Sequence, residues 1–172
     1  MKTARARNIL FAVTAVVSIF LDQWTKILAR AHLPLRQWTG VTVIQGYFDL
    51  RYSENKGVAF GMLQNMPGGR IVLTLVALAA LALVIHYLRR TNLNQTRLHL
   101  ALGLVGGGAI GNLMDRIYFG HVTDFIVWHY KQHEWPAFNI ADAALVVGVC
   151  LMALDMILEK RRAPAAEKAG ND

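Results

Sequence analysis

The chain has 172 residues, of which 55% are apolar and only 17% charged, with a net charge of +7 at neutral pH. A soluble domain carries about 25% charged residues, so this chain lacks the surface that water requires. One cysteine, Cys150, excludes a disulfide framework and a Cys-only metal site; the basic residues cluster between apolar blocks rather than forming the stripe nucleic acid would need.

In chain order, the first apolar block spans 9–21 behind Lys2, Arg5 and Arg7, which is also how a secretory signal begins; ARA at 29–31 even imitates a cleavage site. The continuation argues for a retained helix over about 8–30. Asp22 and Lys26 stand four apart, where opposite charges pair on one helical face. The outer loop that follows, about 31–69, holds short β-type runs at Val41–Ile44 and 47–52 separated by glycines, predicting a small sheet over the helix mouths.

A second helix is predicted over about 70–88, where only Thr74 and His86 interrupt the apolar run; 18 residues reach about 27 Å, enough to cross a hydrocarbon core. A third is predicted over about 98–117, with Gly103, Gly107 and Gly111 in a stripe that lets another helix approach closely. The loop of about 118–139 mixes Ile126, Trp128 and Trp135 with His129, Lys131 and Glu134, a composition suited to the membrane interface. A fourth helix over about 140–159 places Asp142 near one end and Asp155 near the other, and 163–172 is read as a disordered tail.

These blocks predict a single domain of the all-α polytopic membrane class, with four transmembrane helices. Lys/Arg clusters at the N-terminus, between the second and third helices and after the fourth share one side. Trp24, Trp38, Trp128 and Trp135 share the other. The rule that positive loops stay inside then puts both termini in the cytoplasm.

Polar residues beside greasy segments carry the chemistry. Asp22, Asp115, Asp124 and Asp142 map to one membrane face with Asn55, Asn112 and Asn139. Asn112, Asp115 and Arg116 share a helical face, so Asp115 is expected to be balanced by Arg116, as Asp22 is by Lys26. Asp124 and Asp142 have no basic neighbour at helical spacing. Two such carboxylates in a low-dielectric site share one proton, and one then serves as base and the other as acid. The competing reading makes them loop and helix-cap aspartates near water, since a carboxylate is favoured at a helix N-terminus anyway. His129 and His133, four apart, offer a zinc pair without the HExxH order. Cys150 is expected among buried apolar side chains, and no serine pattern suggests a nucleophile. Intramembrane aspartates also mark ion paths, so a small ion- or proton-coupled carrier is the alternative class. A non-catalytic assembly or chaperone subunit built on the glycine stripe is a third.

Five blocks together resemble lipoprotein signal peptidase (signal peptidase II), a family of bacterial inner-membrane aspartic peptidases: DQWTK (22–26), NKGVAFG (55–61), GGAIGNLMDR (107–116), GHVTDFI (120–126) and FNIAD (138–142). The resemblance implies Asp124 and Asp142 as the catalytic pair. It makes Asp22, Lys26, Asn55, Gly108, Asn112, Asp115, Arg116, Asn139 and Ala141 the residues supporting the substrate pocket. The implied fold adds a small extracytoplasmic β-rich cradle and an interfacial helix within 125–135. The implied partners are diacylglyceryl-modified prolipoproteins and membrane lipids, with no metal or other cofactor, no nucleic acid, a monomeric chain and the site at the extracytoplasmic face of the inner membrane.

Overall fold

The computed structural model describes residues 4–35, 40–57, 68–91 and 95–169. Their order is α1 (Ala4–His32), β1 (Val41–Ile44), β2 (Phe48–Asn55), α2 (Gly69–Arg90), α3 (Thr96–Tyr118), β3 (Val122–Tyr130), β4 (His133–Glu134) and α4 (Ile140–Ala169). Trp38 and the 58–61 half of the NKGVAFG block lie outside the described residues.

Three helical segments are long and apolar enough to cross a membrane: Asn8–His32, Gly69–Arg90 and Ile140–Leu158. Their outward faces show what surrounds them. Val16, Ile71 and Met156 are 64%, 66% and 71% exposed, an apolar surface that a water-soluble monomer does not sustain. Within α1, Thr14 and Thr25 fold their hydroxyls back onto the carbonyls of Leu10 and Leu21, which satisfies those hydroxyls inside the helix itself. Arg89 and Arg90 close the last turn of α2, where a cation favours the negative end of the helix dipole.

The third helix differs from the others. α3 is central, packed against α1, α2 and α4, and residues 101–109 are buried apart from the half-buried Leu104. Leu102 and Val105 form a core with Val84 of α2, joined by Phe11, Leu145 and Met152. The predicted glycine stripe faces α1. A Cβ on Gly107 would lie 2.7 Å from Ser18 Cβ and 2.8 Å from the Ala15 carbonyl oxygen, and one on Gly103 would lie 2.7 Å from Thr14 Cβ. Gly108 does the same for α4, with Ala141 O at 2.5 Å. Thus Gly107→Ala must push α1 and α3 apart and is expected to destabilise by about 1–3 kcal/mol. At Gly106 the nearest atom stands 3.5 Å away, so Gly106→Ala should leave the thermal midpoint in detergent unchanged. Equal midpoints for the two variants would contradict this packing.

The sheet is antiparallel in the order β1-β2-β3-β4. β1 matches the expected 41–44 run, and β2 starts one residue later than its run and continues to Asn55. The interfacial helix expected within 125–135 is not there: those residues form most of β3, a turn with Lys131 at φ 54°, and β4. The β-branched and aromatic residues of VTDFIVWHY favour a strand, and pairing with β2 from Phe48↔Trp128 to Asn55↔Val122 decides the matter. Arg51 ties β2 to β4, ion-paired to Asp49 on its own strand and, at 2.7 Å, to Glu134 of β4.

Two smaller expectations also change. α4 runs to Ala169, so 163–169 continue the helix where a disordered tail was expected; Ala165, Ala166, Glu167 and Lys168 are strong helix formers. Cys150 is on the exposed face of α4 rather than buried, because Gly148 and Ala144 are the residues that turn inward there.

Candidate active site

Two connections bring the polar blocks together. Ser53 of β2 stands opposite Asp124 of β3, and Phe138 makes a bridge to Ile126: Phe138 N–H donates to Ile126 O at 3.0 Å, while Phe125 and Ile126 N–H both donate to Phe138 O. Asn139, the residue after Phe138, is thereby set beside Asp124, just as α4 begins.

Asn139 and Asp142 form a reciprocal cap on α4. Asp142 N–H donates to Asn139 Oδ1 at 3.0 Å, and Asn139 N–H donates to Asp142 Oδ2 at 3.2 Å. This is the capping-box arrangement, with Asn and Asp in the two roles. The helix-cap reading of Asp142 is therefore correct in geometry, and it leaves Oδ1 for other work.

That oxygen enters a chain of amides. Asn112 Nδ2 donates to Asp142 Oδ1 at 2.7 Å; Asn139 Nδ2 donates to Asp124 Oδ1 at 2.7 Å and to Asn112 Oδ1 at 3.2 Å. Asn55 Nδ2 holds the other Asp124 oxygen at 2.9 Å. Lys26 Nζ donates to Asn112 Oδ1 at 2.9 Å. Lysine is donor-only, so this contact fixes Asn112 with its oxygen toward Lys26 and its NH₂ toward Asp142. Asp124 and Asp142 are thus joined through Asn139 and Asn112. Burial, then the charge of Asp142, pushes the Asp124 carboxyl up to about 7, against the hydrogen bonds of Asn55 and Asn139 and the charge of Lys26.

Behind the amides lies a closed ionic layer. Lys26, fully buried, meets Asp22 at 2.9 Å and Asp115 at 3.4 Å. Asp22 also accepts the Ala141 N–H at 2.9 Å, tying α1 to the first turn of α4. The expected Asp22–Lys26 pair is present. Asp115, however, is balanced by Lys26 and Arg30 (3.6 Å) rather than by Arg116, which sits one position on along α3 and so points about 100° away. Arg116 instead lines the open side, its Nη1 donating to Asn112 O at 3.4 Å.

A cavity of about 690 Å³ opens between α3, α4 and the sheet. Asn55, Asn112, Arg116 and Asp142 supply its polar wall; Trp128, Trp135, Phe138, Leu145 and Val146 supply the apolar one. Asp142 faces it directly, and Asp124 lies one hydrogen bond behind Asn55. Gly108 and Ala141 do not line it; they hold α3 and α4 at contact distance so that it can form.

Other predicted chemistries do not assemble. His129 and His133 are on different strands, His129 beside Asp49 at 3.2 Å, and among the described residues no three His, Cys, Asp or Glu side chains converge on a metal-sized space. Asp155, near the other end of the membrane-spanning part of α4, is buried and paired with Arg97 at 3.1 Å. A carrier would string its carboxylates through the bilayer, whereas Asp22, Asp115, Asp124 and Asp142 form one cluster.

The sequence reading missed Gln23, Arg30 and Thr123, all engaged with Asp115: Gln23 Nε2 at 3.4 Å from Oδ1, Arg30 as above, and Thr123 N–H donating to Oδ2 at 2.8 Å. For Arg30 a signal existed, since it extends the Asp22, Lys26 row by four more residues.

Known proteins share this arrangement of chain and fold. The family described as Signal peptidase (SPase) II matches residues 14–158. The lipoprotein signal peptidase of Geobacter metallireducens is 44% identical over 156 residues, covering 89% of this chain and 93% of that one. Its counterpart from Pseudomonas putida is 41% identical over 149 residues, 86% of each chain. A solved bacterial membrane enzyme, determined by the in meso method at 2.3 Å, superposes with a TM-score of 0.77 at 25% identity over 87% of this chain and 88% of its own. On the extent of that match and those identities, the protein belongs to the signal peptidase II family.

Proposed function

We propose that Asp124 and Asp142 are the catalytic pair of an aspartic endopeptidase. It removes the signal peptide from prolipoproteins already carrying a diacylglyceryl group, cutting on the amino side of the lipidated cysteine. The observation that carries the reading is the amide bridge. Asp124 is buried and Asp142 partly so, both are oriented by three asparagines, and among the described residues no cation is ion-paired to either, so a shared proton relieves their repulsion.

Chemistry follows from that shared proton. The ionised member takes a proton from a water in the cavity, and the water oxygen attacks the scissile carbonyl. The protonated member donates to the carbonyl oxygen as negative charge develops there. Collapse of the tetrahedral intermediate breaks the C–N bond, and a proton passes to the leaving amine of the cysteine. Trp128, Trp135 and Val146 offer the substrate's acyl chains an apolar wall beside the reacting centre.

Four spans complete the topology, with α3 as the fourth: its 23 residues reach about 34 Å. Its polar residues are tolerated because the other helices and the sheet cover most of it. Basic clusters then face the cytoplasm, both termini included, and the sheet and site face outward in the bacterial inner membrane. The chain acts as a monomer.

The direct test is cleavage of a diacylglyceryl-modified prolipoprotein by purified protein, read by mass as a mature product beginning at the lipidated cysteine. Cleavage of the unlipidated precursor alone, or of neither, would overturn the reading. The activity should be the same in excess chelator, since every proton step is assigned to side chains; chelator-sensitive turnover would reopen the histidine pair. It should also fall as pH rises through about 7, when the pair loses its remaining proton and with it the acid. Turnover that keeps rising to pH 9 would exclude that proton's role.

A further inference from the structure

Arg30 closes the last turn of α1, eight residues beyond Asp22 on the same face. Its guanidinium makes three kinds of contact. Nη1 donates to Thr123 Oγ1 at 2.7 Å, the same nitrogen lies 3.6 Å from Asp115 Oδ1, and the carbon stands 4.4 Å over the Phe119 ring. Thr123 is fully buried and immediately precedes Asp124. Its backbone N–H is held by Asp115 Oδ2, the other oxygen of the carboxylate that Arg30 meets.

We propose that Arg30 is a positioning residue for the catalytic pair, gripping Thr123 by its hydroxyl so that Asp124 is held in line with its amide partners. Thr123 is pinned at two points, side chain and backbone, by groups that belong to α1 and α3. Phe119 sits in the turn between α3 and β3, where Gly120 takes φ +80°, so the same guanidinium also braces the entry of the strand. Without the hydroxyl grip, Thr123 keeps its backbone hydrogen bond to Asp115 of α3 but loses its tie to α1. Arg30 touches neither carboxylate of the pair, so its effect is on where Asp124 sits, not on its proton. Lysine cannot reproduce this, because a single ammonium cannot stack flat on Phe119 while reaching two oxygens.

The proposal rests on the Asp124/Asp142 reading, and the experiment separates the two. Arg30→Met, Arg30→Lys, Thr123→Val, the Arg30→Met/Thr123→Val double variant and Asp124→Asn are assayed with a lipidated prolipoprotein, each normalised to its folded fraction. The expected result is a fall in kcat of about tenfold for Arg30→Met and for Thr123→Val at unchanged KM, with the double variant no worse than either single one. Arg30→Lys should recover only part of the loss, and the pH at which activity falls should not move. Wild-type kcat in Arg30→Met, losses that multiply in the double variant, or a matching rise in KM would overturn it. If Arg30→Met fails to fold, Thr123→Val alone decides: unchanged kcat there removes the grip. Full activity of Asp124→Asn would instead sink the underlying reading.

Discussion

Asp124→Asn and Asp142→Asn should each yield a folded, membrane-inserted protein whose turnover is lower by at least about 10²–10⁴-fold, the usual contribution of a positioned acid or base. The substitutions preserve shape and remove one function. An amide can neither accept water's proton nor donate one to the carbonyl, and the partner carboxylate cannot serve as base and acid in the same step. Fold should survive because the surrounding contacts are amide hydrogen bonds that a side-chain amide meets in part. Asp155→Asn and Cys150→Ala are the controls: one breaks a distant pair with Arg97, the other alters an outward-facing side chain, and both should cleave normally. Ready turnover by either Asn variant would remove the dyad; inactivity of the controls with folding intact would mean the site is elsewhere.

The same variant should leave a thermodynamic trace. Asp124 is raised from 3.8 to about 7 in the folded chain, chiefly by burial. Between those values the folded protein holds a proton that the unfolded chain releases, so stability present below pH 3.8 is lost as pH rises toward about 7. Asp124→Asn abolishes that titration. Its thermal midpoint in detergent should therefore vary less across this window than that of the parent protein, and parallel curves would contradict the burial argument.

The largest loss of stability is expected from Lys26→Met. Lys26 has no exposed surface, and its ammonium is the shared cation for Asp22 and Asp115 and a donor to Asn112. Removing one partner from a buried ionic group typically costs about 3–5 kcal/mol, because the remaining charges stay desolvated and uncompensated. Here two carboxylates are left with less positive charge, and Asn112 loses the contact that fixes its orientation. Denaturant or thermal unfolding in detergent should show the drop, together with weaker activity in whatever fraction folds. By contrast, Asp22→Asn/Lys26→Met, which removes charge from both partners, should recover part of the stability. A Lys26→Met midpoint within a degree of the parent would show that the layer is not held by this ion.

How much of this was legible beforehand divides by distance along the chain. Asp142 was read near one end of the fourth helix, and that is where it forms the cap with Asn139, three residues before it. Asp115 was matched to Arg116 because both are close in sequence, yet its cations arrive from α1, 85 and 89 residues away. The segment 125–135 has amphipathic composition that suits an interfacial element of either kind; only a neighbouring strand with free hydrogen-bonding groups, β2, makes it a strand.

Periodicity alone located the apolar blocks, the Asp22–Lys26 pair and the glycine stripe of α3, because helix geometry sets which residues share a face whatever the helix packs against. It could not say that Asn139 would lie against Asp124, or that Asn112 would point its NH₂ at Asp142. Those relations depend on the Ile126–Phe138 bridge and on Lys26 crossing from α1 to α3. Hydrogen bonds between residues 15 to 119 positions apart leave no spacing to read, so the geometry joining the two carboxylates exists only once helices and sheet have packed.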